Sequence, residues 1–259
     1  MDTLAQYDSL DANVALATFS GQAATRAIDG HSLVRQRGRE QQDWALATAR
    51  ACANTQRLHF DWLKQQAQVF CVSPDLSDYI IIPVATVVSS LPNINGDAIA
   101  AADMLEYNPV FMMPAYRTLV GKGTYHEHKD NLVPQKASGL ILDAYVRRLP
   151  RFRDRLLLIE LLAWDRQKNP LLARAILNRE INSYSVGWFY SKYTCSMSGQ
   201  QAKPAGKTAY TDSKRPTYVL NGKLVYRYLH QIRGAETSAV DDPAFSVAFS
   251  DEVTDLSKL

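Results

Sequence analysis

Two short segments of this chain carry side chains whose types could perform acid–base or nucleophilic chemistry. The first is "GKGTYHEHKDN" (residues 121–131), which holds two of the five histidines, His126 and His128, among acidic and basic neighbours. Such a pair could bind a metal ion, but it lacks the i, i+4 spacing of a helical zinc motif, and no third strong ligand is evident. The segment therefore predicts a polar surface loop or a site in which one histidine is a general base.

The second segment is "INSYSVGW" (residues 181–188), in which Ser185 interrupts an apolar, strand-like run. Ser-x-Gly is a weak signal by itself, but the small Gly187 would let a substrate backbone approach closely. A serine nucleophile needs a base within hydrogen-bonding reach and a third group that orients this base. His128, Ser185 and an acid would complete that set.

Longer stretches of the chain form an ordered series of motifs. They are "PNINGDAIAAADMLEYNPVFMMPAYRTLVGKGTYHEHKDN", "ASGLILDA", "LIELLAWDRQKNPLLARAILNREINSYSVGW" and "KLVYRYLHQIRGAETSAVDDPAFSVA". In this order and at these spacings they resemble the prohead maturation proteases of tailed bacteriophages, which are serine proteases with the fold of the herpesvirus assemblins. Four ordered motifs are more specific than any one of them.

The resemblance implies which side chains act. A gapless count from "GKGTY" places the catalytic histidine of the family on His128 rather than His126, and the nucleophile falls on Ser185. The third member is an acid in the phage proteases and falls on Glu236. Asp165, in "WDRQKNP", is a rival for this role, although it also has a structural interpretation at the end of a strand before a helix.

Three features depart from the family pattern. Ser198 stands where many relatives have a second cysteine after Cys195, so we expect no metal there. "GKG" (residues 121–123) replaces "GKP", which would loosen the strand before His128. "VDDPAF" (residues 240–245) lacks the basic residues that help to build the assemblin oxyanion hole, so backbone N–H groups or other side chains must supply the donors.

The implied function is that of a serine endopeptidase that cleaves scaffold or core proteins and the major capsid protein inside the procapsid, in the host cytoplasm, during head maturation. The resemblance implies cleavage after Glu, with a small or aliphatic residue two positions earlier, and no cofactor. Segments of this type end at Glu40 and Glu252, so we also expect self-cleavage, more readily after Glu252. The alternative is a catalytically inactive procapsid core or scaffold protein that retains the protease fold. Association of this chain into a homo-oligomer is a further open alternative.

Composition is consistent with an intracellular globular protein. The chain has 259 residues, 46% of them hydrophobic, and a formal charge of +3, which is too small to indicate nucleic acid or an anionic membrane as a partner. Its three cysteines lie far apart, so neither a disulfide framework nor a cysteine zinc site is expected. The N-terminus lacks the basic region of a signal peptide, and the apolar runs are too short to span a bilayer.

The elements that must position the site predict an α+β fold with a β-barrel-like core surrounded by helices, as in assemblins. Residues 1–75 are rich in Ala, Gln and Arg and predict a helical N-terminal appendage, with helices over about residues 32–72; residues 76–259 would form the protease domain. Strands are predicted at residues 78–90, 138–150, 155–164 and 181–191, and residues 235–249 predict one more strand followed by a turn. Asn169 and Pro170 begin a helix, Asp97 caps a short one, Asn221–Gly222 turns a hairpin, and residues 196–216 form a mobile loop.

Overall fold

A computed structural model describes residues 62–149, 152–212, 214 and 217–241, together with the backbone of residues 15–18 and 254–255. The helices are α1 (Trp62–Phe70), α2 (Ala101–Leu105) and α3 (Pro170–Leu177), with 3₁₀ turns at Leu76–Asp78, Ala115–Leu119 and Pro134–Lys136. The strands, in chain order, are β1 (Ala15–Thr18), β2 (Tyr79–Val88), β3 (Asp97–Ile99), β4 (Tyr107–Asn108), β5 (Met113–Pro114), β6 (Gly123–His126), β7 (Gly139–Leu149), β8 (Phe152–Asp165), β9 (Ser183–Tyr190), β10 (Lys192–Cys195), β11 (Gln201–Ala202), β12 (Tyr218–Leu220), β13 (Lys223–Val225), β14 (Arg227–His230), β15 (Arg233–Val240) and β16 (Thr254–Asp255).

The fold is α+β and rich in strands, with a curled, half-barrel sheet of eight strands in the order β1-β9-β15-β6-β7-β8-β2-β16. The pair β6 and β15 is parallel, and the other pairs of this sheet are antiparallel. A smaller sheet has the order β11-β10-β14-β3. Strand β9 carries Ser185, β15 carries Glu236, and β6 ends just before His128. These three strands are therefore neighbours, although they are far apart in the sequence.

The long apolar strands form the centre of the large sheet because both of its faces are covered there. Leu162 and Trp164 of β8 belong to the main core, which also contains Val84, Val186 and Ala239; we call this side of the sheet the main-core face. Leu161 and Ala163 point to the opposite face, where a second cluster packs against α1. Burial on both sides explains why these strands are continuous apolar runs without alternation.

Two described segments of the N-terminal region contact the large sheet. Helix α1 lies within the predicted helical range, and its residues Leu63, Ala67 and Phe70 are buried in the second cluster. Strand β1 lies in the same region and pairs with β9, whereas the sequence predicted only helices there, over about residues 32–72. The remaining predicted helical residues, and Glu40 and Glu252, lie outside the described residues.

Several local predictions are confirmed. The strands at residues 79–88, 139–149, 152–165, 183–190 and 233–240 form, and the Asn169 side chain accepts a hydrogen bond from the Leu172 N–H at the start of α3. Asn221 and Gly222 both have positive φ, as the two-residue hairpin between β12 and β13 requires.

Two predictions need correction. Asp97 lies in β3 and does not cap α2, which begins after Ala100 without a side-chain cap; its carboxylate instead accepts a hydrogen bond from Arg227 Nε at 2.8 Å. The polar loop that follows β10 contains the short strand β11, and its Gly206 carbonyl accepts a hydrogen bond from the Tyr193 hydroxyl at 3.0 Å. In the described part of the chain, few helices accompany the sheets, so a core surrounded by helices is not observed there.

Within the described residues, no helix combines the length and the apolar character needed to cross a membrane.

Candidate active site

The turn after β6 directs His128 toward the neighbouring strand. Strand β6 ends at His126, and the next two residues have left-handed backbone, with φ of 55° at Glu127 and 52° at His128. Such a conformation costs a non-glycine residue about 1–2 kcal/mol. The turn is held by β15, because the Glu127 N–H donates to the Ala239 carbonyl at 2.9 Å, and the Glu127 carboxylate accepts from the Asp241 N–H at 2.7 Å. Backbone strain that tertiary contacts maintain is typical of functional sites.

His128 contacts a fully buried carboxylate. Its Nδ1 lies 2.8 Å from Oε1 of Glu236, whose side chain is 0% exposed, whereas the His128 side chain is 18% exposed. Oε2 of the same carboxylate accepts a hydrogen bond from the Ser238 hydroxyl at 2.6 Å, and Asn131 Nδ2 donates to Oε1 at 3.4 Å. With an ionised Glu236, Nδ1 must carry the proton. A neutral His128 ring therefore has its lone pair on Nε2, where a general base needs it.

Ser185 lies on the same face of the sheet as Glu236. In the antiparallel pair of β9 and β15, Ser185 is directly opposite Ser238, and Gly187 is opposite Glu236. Directly paired residues point to the same face with Cβ atoms about 5 Å apart, and Glu236 and Ser238, two residues apart, share that face. The structure thus brings the predicted nucleophile, base and acid together on two neighbouring strands and the turn beside them.

The Ser185 hydroxyl and His128 do not form a hydrogen bond in this structure. Nε2 of His128 is buried, and no described residue forms a hydrogen bond with it, so the Ser185 hydroxyl is outside hydrogen-bonding geometry with this nitrogen. Ser185 is only 1% exposed. In enzymes without substrate, catalytic hydrogen bonds are often long or poorly aligned, and they shorten when substrate binds.

A second buried carboxylate, that of Glu160, lies on the main-core face of the sheet, whereas Glu236 lies on the opposite face. Glu160 of β8 is 0% exposed and accepts hydrogen bonds from the hydroxyls of Thr86 at 2.5 Å and Thr237 at 2.6 Å. Thr237 follows Glu236, so the two carboxylates flank β15 on opposite faces. Burial, with a smaller contribution from the Glu236 charge, raises the pKa of Glu160 to about 7.

Asp165 is not near His128. It ends β8, two strands away from β6, and its carboxylate accepts three backbone hydrogen bonds, from the N–H groups of Ser73 at 2.7 Å, Gln167 at 2.7 Å and Lys168 at 3.0 Å. This arrangement closes the turn that precedes α3. The structure therefore supports the structural interpretation of Asp165 and gives His128 a different carboxylate as its partner.

His126 is the last residue of β6 and lies opposite Ala239 of β15. Left-handed backbone begins immediately after His126, so His128 lies in a turn and does not continue the strand. Sequence reasoning missed Ser238, Asn131 and Glu160. The spacing in "ETS" and the lone acid in "LLIELL" were the available signals for Ser238 and Glu160. In the part of the chain that the structure describes, His, Cys, Asp and Glu residues form no group of three or more that could hold a metal ion.

Searches of protein-family models, curated protein sequences and solved structures find no match to this chain.

Proposed function

We propose that this chain is a serine endopeptidase in which Ser185 is the nucleophile, His128 the general base and Glu236 the group that orients the base. The observation that carries the proposal is the 2.8 Å contact between His128 Nδ1 and the fully buried Glu236 carboxylate, on the sheet face that also holds Ser185. A carboxylate in this position sets the imidazole tautomer and stabilises the imidazolium that forms during acyl transfer.

In the proposed reaction, Nε2 of His128 takes the proton from the Ser185 hydroxyl as the serine oxygen attacks the peptide carbonyl. The ring then delivers this proton to the leaving amine, and water hydrolyses the acyl-enzyme. Ser238 and Asn131 hold the Glu236 carboxylate in place through their hydrogen bonds to its two oxygens. Backbone N–H groups are the candidates for the oxyanion donors.

The resemblance to prohead proteases extends this proposal to biological substrates. We infer that the chain has an assemblin-like fold and cleaves scaffold and capsid proteins after Glu inside a procapsid. The support is the order of the motifs, together with the adjacency of β9 and β15, which carry the implied nucleophile and acid. The proposed enzyme needs no metal or other cofactor for this chemistry.

An inactive core protein is the second candidate, and one observation favours it. Ser185 is nearly inaccessible and does not bond His128, as expected of a protein that keeps the fold without the reaction. The complete set of His128, Ser185 and Glu236 argues against this alternative, because an enzyme that had lost its activity would be expected to lose one member.

A fluorophosphonate probe distinguishes the two candidates. The full chain is incubated with the probe, and with peptides that carry Glu two positions after a small or aliphatic residue. The enzyme should label at Ser185 and cleave the peptides, and Ser185→Ala should abolish both. Ser183→Ala is the matched control, because Ser183 lies on the same strand and face and is also buried. If the folded wild-type chain shows neither labelling nor cleavage, the inactive core protein is the correct interpretation.

A further inference from the structure

A second histidine is held between a carboxylate and a hydroxyl, in a different part of the fold. His230 of β14 lies with Nδ1 at 2.8 Å from Oδ1 of Asp103 and with Nε2 at 2.7 Å from Oγ1 of Thr194. Asp103 belongs to α2 and Thr194 to β10, so three separate elements build this line of hydrogen bonds. It lies on the smaller sheet and does not include any residue of the His128 site.

The order of the three groups determines where the protons lie. When Asp103 is ionised it can only accept, so Nδ1 of His230 is the N–H donor. A neutral imidazole then has its lone pair on Nε2, and the Thr194 hydroxyl must donate to it. This is the arrangement in which a histidine activates an alcohol for nucleophilic attack. Both hydrogen bonds of this line are formed, whereas the hydrogen bond between Ser185 and His128 is not.

The line is accessible to solvent at one side. The side chains of His230 and Asp103 are 21% and 13% exposed, and Thr194 is half-buried. Lys192 is directly opposite His230 in the pairing of β10 with β14, so its side chain leaves the same face of the sheet. A cation on the face that also carries Thr194 would favour the negative charge that develops when an alcohol attacks an ester.

We propose that Thr194, His230 and Asp103 form a second nucleophilic site, which reacts with small activated acyl esters and does not depend on the proposed protease activity. In the step, a bond forms between Thr194 Oγ1 and the acyl carbon, and the bond from this carbon to the leaving alcohol breaks. The threonine proton moves to His230 Nε2 and from there to the leaving group or to solvent. Thr194 is the catalytic nucleophile, and Asp103 positions His230.

A purely structural role makes a different prediction. The bond between His230 and Asp103 also fastens α2 to the smaller sheet, and the bond between Thr194 and His230 links β10 to β14. Each could contribute about 0.5–1.5 kcal/mol to stability. In that case the variants would lower the free energy of unfolding, and Thr194 would be no more reactive than any other threonine. The two roles are separated by measuring covalent reaction at Thr194 rather than stability.

The experiment uses p-nitrophenyl acetate and the full chain with Ser185→Ala, so that the proposed protease nucleophile does not contribute. Nitrophenolate release gives the rate, and peptide mass spectrometry locates the acetyl group. We expect acetylation of Thr194, and a decrease of about 100-fold or more in its rate in His230→Gln, the range expected for loss of a general base. Asp103→Asn should slow the reaction at the same position.

Two further variants serve as controls for the role of the Thr194 hydroxyl. Thr194→Ser keeps a hydroxyl at the site and should still be acetylated there. Thr208→Val is the matched control, since the Thr208 hydroxyl bonds the Thr211 hydroxyl, and it should leave the reaction unchanged. The proposal is overturned if excess probe leaves Thr194 of the folded chain unmodified, or if His230→Gln reacts at Thr194 as fast as the parent.

Discussion

The buried Glu160 should make the stability of this protein fall as pH rises, and Glu160→Gln should remove that dependence. Burial raises the pKa of Glu160 from an ordinary value of 4.5 to about 7 in the folded chain. Below pH 4.5 both the folded and unfolded states carry the proton, so the group has no effect on pH dependence. Between pH 4.5 and 7 the unfolded state releases the proton while the folded state keeps it, so the free energy of unfolding decreases.

The size of this effect follows from the same two values. One pKa unit corresponds to about 1.36 kcal/mol, so a rise from 4.5 to about 7 removes about 3 kcal/mol of stability between mildly acidic and mildly alkaline pH. The decrease is complete above pH 7, where both states are ionised. A glutamine has nearly the same shape and no titratable proton, so the variant should lack this component of the pH dependence.

Urea unfolding of both proteins from pH 4.5 to pH 8 measures the effect. The quantity of interest is the difference in free energy of unfolding between wild type and Glu160→Gln at each pH, because other titrating groups cancel in it. This difference should change by about 3 kcal/mol across the range, in favour of the variant at high pH. Glu106→Gln, at an exposed position, is the control and should show almost no change. A difference that stays constant with pH for Glu160→Gln would refute the reasoning.

Three other predictions, built on five substitutions, test the site and the sheet. His128→Ala should lower peptide cleavage by orders of magnitude while His126→Ala keeps substantial activity, and the reverse result would contradict the assigned base. Glu236→Gln should lower kcat by about 10⁴, whereas Asp165→Asn should leave kcat nearly unchanged and cost about 1–3 kcal/mol in urea unfolding, because it disturbs backbone hydrogen bonds. Gly139→Ala should destabilise the sheet severely, since a Cβ there would lie 1.9 Å from a carbonyl oxygen of β8; an unchanged midpoint of thermal unfolding would show that this strand pairing is wrong.

Local features of the chain were predictable because each depends on a few neighbouring residues. The apolar run "YIIIPVATVV" predicts β2, and Asn169 with Pro170 predicts the start of α3. The pair Asn221–Gly222 predicts its hairpin through the positive φ that both residues adopt. Helical spacing predicted α1, but nothing in the local pattern indicated that residues 15–18 would form an edge strand beside β9.

The choice between Glu236 and Asp165 shows what local pattern cannot decide. Glu236 lies within a predicted strand and Asp165 at the end of another, and both are far from His128 in the sequence. The parallel pairing of β15 with β6 brings Glu236, 108 residues away, to 2.8 Å from the imidazole, while Asp165 ends a strand two positions across the sheet. Strand order is set by the packing of the whole core, so the sequence could name the candidates but could not select between them.

By itself, the sequence determined the strand-rich α+β class, most of the long strands and the set of residues from which a site could be built. Only the tertiary structure decided which of these residues meet. It placed Glu160 behind Glu236, and it joined Asp103 to His230 across 127 residues and Thr194 to His230 across 36. The physical reason is that secondary structure follows short-range periodicity, whereas contacts between side chains depend on strand register and layer packing, which many distant residues determine together.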